Sequence, residues 1–309
     1  MSHNTTVSLV LGSGGARGLA HIGIIHWLEE HGYQIHSISG CSMGALVGGI
    51  YAAGKLDAFE QWVRSITKFD ILTYMDFSFS KSGFVKGGRL MKTLSDLVGD
   101  RQIETLPIRF TAVATDIEHS KEIWLNSGSL FDAVRASISI PLLFTPFFYR
   151  DAFLIDGGIL NPVPIAPTFH DNTDLTIAVN LSARPKDIRE FLREETHAES
   201  TEEPSNFSAF QKKIGEFLAL LQFAKSEQTV EEIGMYEVAV QAFDAMQEAI
   251  ARQKLAAYPP DFVVEIARNA CGTLEFDLAD QMIALGYEKA REYLGMLAPG
   301  ATPDTMLSA

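Results

Sequence analysis

Cysteine is almost absent: Cys41 and Cys271 are the only two in 309 residues, far apart and without CxxC or Cys/His spacing. A disulfide scaffold is excluded, no metal-ligand set suggests itself, and reduced thiols in a cytoplasmic protein are expected. Positive charge is scarce as well. The 25 lysines and arginines face 39 aspartates and glutamates, a formal net charge of −14. Such a chain has no overall attraction for a nucleic-acid backbone or an anionic membrane, so nucleic acid is not an expected partner. Membrane contact would have to rest on apolar surface or a local basic patch, and would be peripheral at most. The opening MSHNTTVSLVLGSGG lacks a basic segment followed by a long apolar stretch, so no signal peptide is expected. From Tyr33 to Gly54 charge is missing altogether, over a length that could span a bilayer. That run is full of glycine and serine, however, and holds a strand–turn–helix signature, so a membrane helix is not expected there.

The composition is otherwise that of a globular protein, 47% hydrophobic and 21% charged, and the length suits one large α/β domain or two ordinary ones. Short apolar runs at Val7–Leu11, Ile35–Ser39, Phe110–Thr115, Glu122–Leu125, Phe147–Tyr149, Phe153–Ile155, Thr176–Leu181 and Phe262–Ile266 read as strands. Helical spacing predicts helices over Leu19–Glu30, Ala45–Ala53, Leu56–Ile66, Arg89–Leu97, Leu130–Ser137 and Leu278–Leu297. Phe69–Lys86, aromatic and irregular, is a candidate loop or lid. The alternation implies a three-layer α/β/α sandwich with a mostly parallel central sheet and extra helices in the C-terminal part. Residues 5–183 form the main region. Residues 184–206, with four basic residues against seven acidic, read as a charged linker. Residues 207–254 are almost continuously helical in pattern, apolar at Phe217, Leu220, Leu221 and Ala224 and again at Val238, Phe243, Met246 and Ile250. These positions suit core packing or a helix–helix interface, which is where a homo-oligomer would form. Residues 207–297 are expected to pack on the same domain through the last strand and helix, with 298–309 as a tail.

Three motifs carry chemistry. Gly40-Cys41-Ser42-Met43-Gly44 lies between a predicted strand and a predicted helix, the setting of a nucleophile elbow. The turn strains the serine backbone, the glycines two before and two after keep side chains from colliding, and the hydroxyl stands at a helix N-terminus that favours negative charge. Cys41 occupies the variable position and reads as a small packing residue. Gly12-Ser13-Gly14-Gly15-Ala16-Arg17-Gly18 fails as a dinucleotide loop: Arg17 stands where the last glycine is needed counting from Gly12, and Ala16 breaks the count from Gly14. Its backbone N–H groups, with little side-chain bulk around them, suit an oxyanion instead. Arg17 adds positive charge beside the loop, unless it forms a surface salt bridge.

A nucleophilic serine needs a base, and histidine is poorly placed to be it. His170 lies in a predicted loop, His197 in the charged linker, and none occurs after residue 197. His21, His26, His31 and His36 lie on or just after the first helix, where solvated or helix-end roles suit them. Asp156-Gly157-Gly158 offers an aspartate at a strand end, with two glycines that allow another backbone segment to approach. Asp116, at another strand end, lacks such glycines and reads as structural.

GSGGARG, GCSMG and DGG in this order, with Arg135–Pro141 and Asp156–Pro164 between and after them, resemble the bacterial patatin-like phospholipases. The resemblance covers about Val7 to Leu181, and Phe262–Leu297 more loosely. It implies a serine lipid acyl hydrolase acting on carboxylic esters through a Ser–Asp dyad and an acyl-enzyme, with residues 5–183 as the catalytic region. Ser42 would be the nucleophile, Asp156 the base, and Gly14, Gly15 and Ala16 the oxyanion loop, supported by Arg17, Gly40, Gly44, Gly157 and Gly158. No metal or other cofactor is implied. Ser13 departs from the family's run of three glycines but keeps its N–H. The alternative function is a regulatory or lipid-binding protein that keeps the pocket and turns over little. The aromatic Phe69–Phe84 and Leu142–Tyr149 segments suggest an apolar acyl pocket.

Overall fold

The computed structural model of the chain describes residues 5–74, 87–141, 143–185 and 235–295. Most of the expected linker, the 207–234 part of the predicted helical stretch, His197, the aromatic segment beyond Tyr74 and the tail lie outside the described residues. The chain divides into two compact units, residues 1–184 with 246–309, and residues 185–245. Of the second unit, a helical stretch over 235–245 is described. The first unit carries the sheet and all three motifs.

Thr6–Leu11 forms β1, followed by a 3-10 turn over Gly15–Leu19 and helix α1, Ala20–Glu30. Then come β2 (Gln34–Cys41), α2 (Met43–Ala52), α3 (Leu56–Arg64), α4 (Lys68–Tyr74) and α5 (Gly88–Val98). They are followed by β3 (Arg109–Asp116), β4 (Lys121–Leu125), α6 (Leu130–Ser137), β5 (Phe147–Tyr149), β6 (Ala152–Asp156) and β7 (Leu175–Ala183). The chain closes with α7 (Met235–Ala257), β8 (Phe262–Ala267) and α8 (Ala279–Leu294). The charge-free run from Tyr33 to Gly54 folds as β2 and α2, and among the described residues no helix is long and apolar enough to cross a membrane.

Among the described residues eight strands join one sheet in the order β5-β6-β3-β2-β1-β7-β8, with β4 also paired to β3. β1, β2, β3, β7 and β8 run parallel, as their helical crossovers allow; β4 and β6 pair antiparallel with β3, and β5, antiparallel to β6, runs in the direction of the parallel set again. Two-residue connections cannot hold a crossover, and the β5–β6 link is Arg150–Asp151 alone. Both residues take positive φ, 46° and 63°, as a hairpin turn that follows the strand twist requires.

The register around β3 places the functional residues. Ala112 and Val113 pair with both β2 and β4, whereas Ala114, Thr115 and Asp116 pair with both β4 and β6. β4 therefore holds one edge of β3, and β2 and β6 succeed one another along the other. Cys41 stands opposite Val113 and Asp156 opposite Ala114, so the ends of β2 and β6 meet there.

Strand alternation sends side chains to two covered faces. On one, Leu11, Ile38 and Phe110 pack against α2, whose Gly48 brings the helix within contact of all three. On the other, Val10 and Ala178 form a buried cluster with Val163, Ile165 and Ala251 of α7. Burying the valine, leucine, isoleucine and phenylalanine side chains among these is worth about 1.5–3 kcal/mol each, which holds the layers on the sheet.

Candidate active site

Ser42 sits at the bend between β2 and α2 with φ 55° and ψ −122°, a conformation that costs a non-glycine residue on the order of 1–3 kcal/mol. The bend closes because its neighbours lack side chains. A Cβ on Gly44 would lie 2.0 Å from the Leu11 carbonyl oxygen, and one on Gly40 would lie 2.5 Å from that of Gly44. The Ser42 backbone N–H donates to Ser137 Oγ (2.9 Å), and the Ser137 hydroxyl donates to the Val113 carbonyl (2.6 Å), tying the elbow to α6 and β3.

Asp156, fully buried at the end of β6, faces the serine directly. The Ser42 hydroxyl donates to Oδ2 at 2.5 Å, the Gly158 N–H donates to Oδ1 at 2.7 Å, and the Asp156 N–H is held by the Ser139 carbonyl. No imidazole stands between serine and carboxylate. Gly157 has its sequence-predicted reason: a Cβ there would lie 2.2 Å from the Val113 carbonyl oxygen. Burial raises the Asp156 carboxyl to about 6, against the pull of the hydrogen bonds from Ser42 and Gly158. Cys41 Sγ packs 3.9 Å from Oδ1, and burial with the Asp156 charge pushes its thiol well above the usual range.

The glycine loop is pinned by long-range backbone bonds: Gly12 N–H to the Val179 carbonyl, Ser13 N–H to that of Pro162, and Ala16 N–H to that of Thr273. Ala16 thus anchors the loop with the group expected to serve an oxyanion, while the N–H groups of Gly14 and Gly15 have no acceptor among the described residues. Gly15, at φ 56° with a would-be Cβ 2.6 Å from the Thr273 carbonyl oxygen, tolerates no side chain. Arg17 is not a surface residue. It is 1% exposed, and its guanidinium donates to the carbonyls of Gly14 and Arg268, so it staples the loop.

His21 likewise differs from the solvated or helix-end role expected of it. It is buried, with Nε2 2.9 Å from the Gly12 carbonyl, and desolvation lowers it to about 4. The imidazole is neutral at pH 7 and supports the loop. His31 meets the Trp27 carbonyl at the end of α1, His26 meets Glu60, and His36 and His170 are exposed. Asp116 accepts from the backbone N–H groups of Glu118 and His119 and faces the His119 ring, a turn role.

Ser42 and Gly15 open into a cavity that is otherwise apolar, with Leu19, Leu46, Phe59, Trp62, Leu143 and Phe144 in its wall. Ile71 and Tyr74 line it too, from α4, where the sequence suggested a loop. Sequence reasoning missed Ser137, Ser139, Thr273 and Gln247. The first two lie within the Arg135–Pro141 stretch it singled out; the others act through distant pairings with no local signal. Ser137→Ala leaves the Ser42 N–H without its acceptor, so kcat for ester hydrolysis should fall about tenfold and stability by about 1–3 kcal/mol. Steady-state kinetics and urea unfolding check this; unchanged values for both would leave Ser137 a bystander.

Fold and site together define a class: an α/β/α protein with a serine on a strand–helix elbow, paired directly with a buried carboxylate. The chain belongs to the patatin-like phospholipase family, whose model matches residues 9–169. NTE family proteins of Mycobacterium tuberculosis and Mycobacterium bovis are 38% identical over 95% of this chain and 92% of theirs. The lysophospholipase NTE1 of Coccidioides immitis is 28% identical over 94% of this chain, which spans 18% of that longer protein. Among solved structures, VipD from Legionella pneumophila matches at a TM-score of 0.45 and 13% identity, over 94% of this chain and 67% of that one.

Proposed function

We propose that the chain is a serine lipid acyl hydrolase that cleaves carboxylic esters of long-chain acids through Ser42 and Asp156. The observation that carries the reading is the Ser42 hydroxyl donating at 2.5 Å to a buried carboxylate while opening into an apolar cavity. Ser42 Oγ attacks the ester carbonyl as its proton passes to Asp156. The carbonyl oxygen takes up the electron pair and is held by the N–H groups of Gly14 and Gly15. Collapse of the tetrahedral species breaks the ester C–O bond, and the Asp156 proton goes to the departing alcohol. Water, deprotonated by the same carboxylate, then adds to the acyl-enzyme; the Ser42 Oγ–acyl bond breaks, the Asp156 proton returns to Ser42 Oγ and the acid leaves. The acyl chain lies in the cavity between Leu19, Leu46 and Phe59. The family membership and the lysophospholipase name of the fungal relatives support the lipid substrate class.

A p-nitrophenyl ester series from four to sixteen carbons, with fluorophosphonate labelling in parallel, tests the reading. Each methylene that fits the cavity is worth about 0.8 kcal/mol, so kcat/KM should rise up to roughly fourfold per carbon until the cavity is filled. Lipid binding without hydrolysis or labelling would favour the regulatory alternative.

A further inference from the structure

We infer that Gln247 of α7 is a positioning residue, holding the oxyanion loop against the turn that carries Asp156. The inference rests on the reading of Ser42 and Asp156 as the reacting pair. Met246, next to it on the helix, is 56% exposed, whereas Gln247 is 2% exposed. Burying an amide is costly unless it is hydrogen-bonded, and an apolar residue would fill the same space without that cost. The amide does find a partner: Nε2 donates to Ser13 Oγ at 3.0 Å.

Ser13 precedes the two glycines whose N–H groups face the developing oxyanion, and its own N–H is already committed to the Pro162 carbonyl. The hydroxyl that accepts from Gln247 is the side chain by which the loop departs from a run of glycines. Across the same contact lies Gly158, whose N–H donates to Asp156 Oδ1. A Cβ on Gly158 would lie 2.1 Å from Gln247 Nε2, 2.7 Å from Ser13 Oγ and 3.0 Å from Asp156 Oδ1. The amide therefore fills the space a side chain would take and touches both halves of the machinery, the donors for the oxyanion and the turn of the base. Neither Gln247 nor Ser13 lines the cavity. Their loss should disturb the alignment of reacting groups and leave acyl-chain binding alone.

The test measures kcat and KM on one p-nitrophenyl ester for wild type, Gln247→Met, Ser13→Gly and the double variant, with thermal melts as a folding check. Each single change should lower kcat about tenfold, less than the 10²-fold that a misplacement of about 1 Å can cost, with KM within about twofold of wild type. The double variant should fall no further than the worse single, because both changes remove one bond. Wild-type kcat in a folded Gln247→Met protein, or losses that add, overturns the inference. Should Gln247→Met not fold, Ser13→Gly decides alone, since it leaves α7 untouched: wild-type kcat overturns the role. A wild type that neither hydrolyses ester nor takes up fluorophosphonate overturns the reading of the pair, and this inference with it. Active wild type with unaffected variants overturns this inference only.

Discussion

Ser42→Ala should lose ester hydrolysis by at least about 10⁴-fold and lose fluorophosphonate labelling completely, with the fold retained. The change deletes one oxygen from an elbow whose shape is set by other groups. Gly40 and Gly44 supply the clearance and Ser137 holds the residue 42 N–H, and all of these survive the substitution. The buried, strongly protonated Cys41 thiol next to it is no substitute nucleophile, so Cys41→Ala should keep its label. Label that persists in Ser42→Ala, or vanishes in Cys41→Ala, would remove Ser42 from the mechanism.

Asp156→Asn should approach the same loss, on the order of 10³–10⁴-fold in kcat, because serine and carboxylate act as a unit. His170→Ala, at an exposed position, and His197→Ala should both keep wild-type kcat. A crippled histidine variant beside an active Asp156→Asn would point to a triad. The wild-type rate should climb through about pH 6 and level off above it, since the base must be ionised and burial holds its carboxyl there. Stability should move the other way. The folded-state value is raised from 3.8 to about 6, so between these pH values the folded chain binds the extra proton. The contribution is full below the unfolded value and is lost as pH rises through the folded one. At pH 8 the buried ionised carboxylate costs up to about 3 kcal/mol that asparagine does not incur. Asp156→Asn should therefore melt higher than wild type at pH 8, with the gap closing toward pH 4. An equal melting difference at both ends would show that ionisation of Asp156 is not the cause.

What is legible in the sequence is what depends on near neighbours. The elbow declares itself through glycines two residues either side of Ser42, because the clash each avoids is with backbone a few positions away or on the adjoining strand. Asp156 declares itself through Gly157 and Gly158, which make room for Val113 and for Gln247. The parallel core strands show as apolar runs. Burial of Arg17 and His21 does not show, because polar side chains on a first helix turn look the same whether they face water or the backbone carbonyls of a folded loop. The Ala16 bond to Thr273 spans most of the chain. Residues 235–254 illustrate the same limit from the other side: apolar spacing picks Met246, yet Met246 is exposed and the glutamine beside it is buried. The antiparallel β5–β6 return is hidden because Arg150–Asp151 lacks the glycine that usually marks such a turn.

The succession of β2 and β6 along one edge of β3 makes that strand a gauge for the spacing of Ser42 and Asp156. β3 contributes neither of the two side chains, yet Val113 and Ala114, adjacent on it, seat the two strand ends that present Ser42 and Asp156. The seats of the two strand ends lie one strand rise apart on β3, about 3.3 Å, and the bonds to Ser137 and Ser139 hold the Ser42 and Asp156 backbones in place there. The cavity wall away from those bonds, with Leu46, Phe59 and Trp62, can change without altering the register that seats Ser42 and Asp156. On the proposed function, the lining that receives the acyl chain is thereby free to change apart from the strand pairing that seats the two side chains.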